Sequence, residues 1–122
     1  MITRIPALEF MQNLIGTYCS GDGLASLLVT RVGYGQIIDF RLGDKVQIAG
    51  VIGASGYSVE LLAQLGLPNV VRFSGSLRSK SEISFEASDL PMGLVISRDG
   101  DTLTLITSFN SAPPTNYVLQ RA

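Results

Sequence analysis

Carboxylates that could do chemistry come in two close pairs, Asp39 with Asp44 and Asp99 with Asp101. Two facing carboxylates, one shielded so that its pKa rises, can cleave a glycosidic bond. Both pairs sit beside glycine-containing turns, where solvent and turn hydrogen bonding account for aspartate without catalysis. Other reagents are sparse. The chain has no histidine, which removes the commonest general base and metal ligand. Cys19 is the single cysteine, so neither a zinc set nor an intrachain disulfide is expected. With no imidazole to activate it, its thiol reads as a small apolar side chain. Tyr18, Tyr34, Tyr57 and Tyr117 have no lysine four residues on, so the tyrosine–lysine pair of short-chain reductases is missing. A G-x-S-x-G elbow and a P-loop lysine are missing too. Arg31, Arg41, Arg72 and Arg78 could hold an anion or a partner's carboxylates, but a solvated outer face explains each. The expectation is a chain without catalytic residues, bound metal or cofactor.

One stretch points elsewhere. In "QIAGVIGASGYSVELLAQLG", Gln47 to Gly66, glycines 50, 53 and 56 are spaced G-x-x-G-x-x-G after an apolar run. Such glycines permit a tight turn and let backbone N–H groups approach a phosphate, assisted by a following helix. "GASGY" followed by "ELL" resembles the opening loop of N-acetylglutamyl-phosphate and aspartate-semialdehyde reductases, and "SLRSK" is similar to the basic residues after their second strand. The likeness spans Lys45 to Lys80 and implies a phosphate loop of Gly50, Gly53, Ser55 and Gly56. The chain departs from that family at Ser58, where the family has another glycine. It also lacks the large region carrying a catalytic cysteine and histidine. The competing reading is a glycine bend between hairpins, which the surrounding residues favour.

Two shorter likenesses concern strands. "IIDFRLGDKVQIAG" resembles the tail that follows repeat-toxin calcium coils, but the glycine–aspartate repeats that hold the calcium are absent. "LIGTYCSGDG" near the start and "NYVLQRA" at the end resemble small lipocalin-like barrels, with Tyr18 where those carry tryptophan. That resemblance implies an apolar cavity inside a barrel.

The elements that would position these residues follow from periodicity. Pro6 suits a first helical residue. Ala7, Leu8, Met11, Leu14, Ile15 and Tyr18 then recur on one helical face, with Glu9, Gln12 and Asn13 opposite, predicting a helix that ends near Gly16 or in "CSGDG". "LASLLVTRV" reads as a covered strand. "QIIDFRLGDKVQIAG" reads as a hairpin with a three-residue loop, Leu42 to Asp44. Phe40 then faces Val46, and Ile38 faces Ile48, while a one-residue slip would exchange the faces. "SVELLAQLG" predicts a two-turn helix stopped by Gly66 and Pro68. "VVRFSGSL" and "EISFEA" alternate, with Val71, Phe73, Ile83 and Phe85 inward and Arg72, Glu82, Ser84 and Glu86 outward. In "GLVISRDGDTLTLIT", a turn at Asp99-Gly100 pairs Ile96 with Leu103 and Leu94 with Leu105. "YVLQ" supplies a last strand.

The expected architecture is α+β: an N-terminal helix packed on a mainly antiparallel curved sheet or partly closed β-barrel, with one short helix between strands. Residues 1–122 form a single domain. Charged residues make up 16% of the chain, below the roughly 25% of soluble domains, against 46% hydrophobic residues and a mean hydropathy of +0.33. The net charge of −1, without a basic run, disfavours nucleic acid. No apolar run is long enough for a membrane span, and "MITRIPALEFMQNLIGTYC" lacks the block and cleavage site of a signal peptide. With the lone cysteine, this makes the cytoplasm the expected compartment. The leading expectation is a non-catalytic module acting through copies of itself or a protein partner. Val70, Val95 and Val118 are then its outward apolar interface residues. A barrel holding a small apolar ligand and a nucleotide-binding fragment are the alternatives.

Overall fold

The computed structural model describes residues 6–55, 58–66, 69–109 and 112–122. A helix, α1 (Pro6–Gln12), precedes ten strands. The first five are β1 (Gly16–Cys19), β2 (Ala25–Val32), β3 (Gly35–Leu42), β4 (Lys45–Ser55) and β5 (Ser58–Gln64). They are followed by β6 (Val70–Ser79), β7 (Glu82–Ala87), β8 (Met92–Asp99), β9 (Thr102–Phe109) and β10 (Thr115–Arg121). Every strand pairs antiparallel with the next, and β1 pairs with β10, so the sheet closes into a barrel. The fold is mostly β. The expected curved sheet is fully closed, which leaves no edge to template aggregation.

The expected helix between strands is β5. Val59, Leu61 and Ala63 point inward while Ser58, Leu62 and Gln64 point outward. A short apolar run carries either period, and here two flanking strands, β4 and β6, decide the matter by pairing along its whole length. Gly66 does take the left-handed conformation, φ +78°, but it follows a strand.

The glycine stretch is strand as well. Gly50, Gly53 and Ser55 lie in β4, with backbone paired to β5 throughout and to β3 as far as Ile52. An extended strand does not make the tight turn in which successive N–H groups converge on a phosphate. Gly56 lies outside the described residues. Gly50 faces the lumen opposite Ala63, and a Cβ there would sit 2.7 Å from the Leu62 carbonyl oxygen and 2.8 Å from Leu61. Gly53 meets nothing within 4 Å. Gly50 is therefore glycine for packing, not for phosphate.

Two hairpins reconcile turn chemistry with burial in ways the pattern alone did not reveal. Between β3 and β4 the loop is only Gly43 and Asp44, with Gly43 at φ +61°. That register would turn the wrong face inward, and a bulge between Arg41↔Val46 and Phe40↔Ile48 corrects it by one residue, Gln47. Phe40 thus opposes Ile48, not Val46, and Val46 is exposed. Between β8 and β9 the loop is Gly100 and Asp101, with Gly100 at φ +62°, so Ile96 opposes Leu105 and Leu94 opposes Thr107. The shift of two residues keeps the same faces inward.

The helix stops earlier than its periodicity predicts, and Tyr18 belongs to β1. Ala7, Met11 and Leu14 are nevertheless buried, and α1 packs against β3, β5 and β6, across the barrel from β1. The segment therefore closes one end of the lumen. The Glu9, Met11 and Gln12 carbonyls at its end accept from the N–H groups of Asn13, Leu14 and Ile15, and the carbonyls of the residues that follow the helix are met by side chains of the barrel strands. Arg98 donates to the Asn13 carbonyl, and Arg121 donates to that of Ile15 at 3.3 Å. The buried Tyr18 hydroxyl donates to the Leu14 carbonyl at 2.9 Å and accepts from Arg121 at 3.0 Å. Beside this plug, Gln36 is fully buried, and its amide has no hydrogen-bond partner among the described residues.

Two outcomes follow in chemical denaturation. Gly50→Ala should lose about 1–3 kcal/mol through overpacking, whereas Gly53→Ala should stay within about 0.5 kcal/mol. Tyr18→Phe should lose about 1–3 kcal/mol, because a buried carbonyl is left without its donor. Equal stabilities for the two glycine variants would contradict the inward placement of Gly50.

Candidate functional site: the barrel mouth

About eight strands give a barrel that side chains can just fill. Ten leave more room, and α1 occupies only one end. At the other end lies a recess of about 250 Å³. Its floor and walls come from Phe40 on β3, Ile48 on β4 and Thr107 on β9; its rim comes from Gln47, Leu65, Met92, Phe109 and Tyr117. A narrow crevice continues inward past Leu61, Phe73 and Leu94.

Local structure explains each position. The bulge that turns Ile48 inward also leaves Gln47 at the rim. Tyr117 is on the inward face of β10 two residues before the buried Leu119, and its ring meets Phe40 edge to face, with centroids 4.8 Å apart. Met92 and Phe109 oppose each other where β8 and β9 end, so both continue the inward rows of their strands into the opening. Thr107 is in phase with Leu103 and Leu105 and is only 5% exposed. No protein hydrogen bond to its hydroxyl is found among the described residues, and the oxygen is not fully enclosed, so it is open to whatever occupies the recess.

The recess has no Asp, Glu, Lys or Arg among its lining residues. At the same end, the β1–β2 turn is tied by Asp22, which accepts from the Ser20 hydroxyl and the Leu24 N–H. The Ser20 hydrogen bond, then that of Leu24, holds its carboxyl below the usual range. Asp22 works there as a turn residue.

The residues singled out from the sequence lie elsewhere. Asp39 is on the outer face of β3 in a two-pronged pair with Arg41, at 3.0 Å for each hydrogen bond. Asp44 is in the exposed β3–β4 turn, and Asp99 and Asp101 are exposed at the plugged end. Arg72 binds Glu60 from outside, and Arg31 donates to the Gly33 carbonyl. Arg78 is exposed, and Cys19 is half-buried in β1. Neither aspartate pair faces a shared pocket.

Val70 and Val118 are 59% and 57% exposed, and Val95 is half-buried. They stand on β6, β10 and β8, with β7 and β9 intervening. The register instead aligns Ile37, Val51 and Leu62, all exposed, directly side by side across β3, β4 and β5. The Asp39–Arg41 and Glu60–Arg72 pairs lie on those strands and on β6. Sequence reasoning missed this row because it depends on which strands neighbour one another. It also missed Thr107, whose only signal is its phase with Leu103 and Leu105.

Among the described residues no helix is long and apolar enough to cross a membrane. Comparison with protein-family models, curated proteins and solved structures returns no match to this chain.

Proposed function

We propose that this protein is a non-catalytic binding module whose barrel mouth takes a small apolar ligand. The observation that carries the reading is the recess itself. It is a largely apolar concavity built on rigid strands, with a few polar groups at defined positions, as small-molecule sites usually are. The apolar lining supplies affinity by excluding water, and Gln47, Thr107 and Tyr117 are placed to orient what enters. The uncharged lining and the absence of histidine support binding rather than turnover. N-phenyl-1-naphthylamine, a neutral fluorophore that brightens on burial, should bind saturably at one site per chain. Leu65→Trp, which fills the rim, should abolish the signal while leaving the thermal melt unchanged. Non-saturable fluorescence with the parent protein would end this reading.

A second reading, self-association, is favoured by the exposed row of Ile37, Val51 and Leu62. An apolar strip with charged pairs at its margins has the anatomy of an interface. A chain with 46% hydrophobic and 16% charged residues gains by covering such a strip. Native mass spectrometry should find a dimer or higher species at tens of micromolar, and Val51→Lys should return it to monomer. A parent protein that stays monomeric under those conditions would remove this reading.

A further inference from the structure

We infer that the ligand of the barrel mouth is a neutral aromatic molecule bearing one hydroxyl or carbonyl group, and that Thr107 is the residue that selects for that group. The inference rests on the ligand-binding reading above and goes further, to the ligand's chemistry.

Three features of the recess define that chemistry. The first is charge. A carboxylate or ammonium carried into a lining without Lys, Arg, Asp or Glu would lose its water and gain no counter-ion, a heavy penalty even after relaxation. Charged ligands are therefore excluded. The second is shape. Phe40, Phe109 and Tyr117 make three of the eight lining residues aromatic in a chain that is 7% aromatic, and Met92 adds a polarisable thioether. Ring edges and a sulfur offer a flat π-system the contacts it prefers. An apolar cavity of about 150 Å³ accepts benzene, so 250 Å³ admits two fused rings. The third is the polar group. Thr107 is 5% exposed and borders both the recess and the crevice beneath it, and its hydroxyl has no protein partner among the described residues. Gln47 and Tyr117 reach only the rim. A ligand oxygen at the recess floor would complete the Thr107 hydroxyl, and a plain hydrocarbon would leave it unpaired.

Three probes of one skeleton separate these features: 2-naphthol, naphthalene and 2-naphthoate, measured at pH 7 by calorimetry and ligand-observed NMR. The expected order is 2-naphthol tightest, naphthalene weaker, and 2-naphthoate undetectable. Thr107→Val should weaken 2-naphthol about 5- to 10-fold, the worth of one hydrogen bond, and leave naphthalene unchanged or slightly tighter. Thr107→Ser, which keeps the hydroxyl, should retain 2-naphthol binding, and thermal melts of both variants verify folding. Naphthoate binding as tightly as naphthol would overturn the inference, as would Thr107→Val weakening all probes alike, but the mouth would remain a ligand site. If the parent protein binds none of the three and also fails to hold the naphthylamine fluorophore, the ligand-binding reading itself falls and the inference with it.

Discussion

Closing ten antiparallel strands into one ring creates a lumen wider than the inward side chains of those strands can fill, and the rest of the molecule answers that constraint. Core packing near crystalline density is the normal condition of a protein interior, so the extra volume must be occupied by something. At one end the chain supplies α1, whose Ala7 and Met11, with Leu14 just beyond the helix, complete the core beneath the β2–β3 and β6–β7 turns. At the other end nothing equivalent is brought in among the described residues, and the inward rows of β3, β8, β9 and β10 run out into an aromatic rim. A plug and a pocket are thus two consequences of one strand count.

The plug shows how a weak element is held. A helix of seven residues is too short to be stable alone. It persists because its apolar face is buried and because Arg98, Arg121 and Tyr18 hold the carbonyls of Asn13, Ile15 and Leu14, the residues that lead from the helix to β1. The Arg121 guanidinium also lies 5.5 Å from the Tyr18 ring, a cation–π contact that holds the two together. These arginines sit at the ends of β8 and β10, so the helix is secured only once the far part of the barrel has closed. The lumen is apolar, while the outer face mixes ion pairs with exposed apolar residues, among them the row of Ile37, Val51 and Leu62.

Much of the fold was legible from alternation. The inward positions of β3, β6, β8 and β9 follow a period of two, whereas in β7 Ser84, expected outward, is buried with Ile83 and Phe85. The expected curved sheet or partly closed barrel is a closed one. The segment Ser58–Gln64 was misread because seven residues with four apolar ones satisfy a helical stripe as well as a strand. Pairing with two neighbours then outweighs intrinsic preference. The candidate site was scarcely legible. Phe40 and Ile48 were recognisable as core, but Thr107, Met92 and Phe109 come together only through the register between β8 and β9 and the closure of the ring.

What the sequence determined by itself was local: which residues turn inward along most of the strands, where glycine bends the chain, and that no histidine is present to supply imidazole chemistry. These depend on side-chain type and on a period set by backbone geometry. The tertiary structure alone decided that β1 would meet β10, that a bulge at Gln47 would reconcile a two-residue turn with the buried face, and that one end of the lumen would be stoppered and the other left as a recess. Such decisions depend on distances between segments far apart in the chain. Closure chooses among registers by how well the whole interior fills, and no short stretch of residues carries that information.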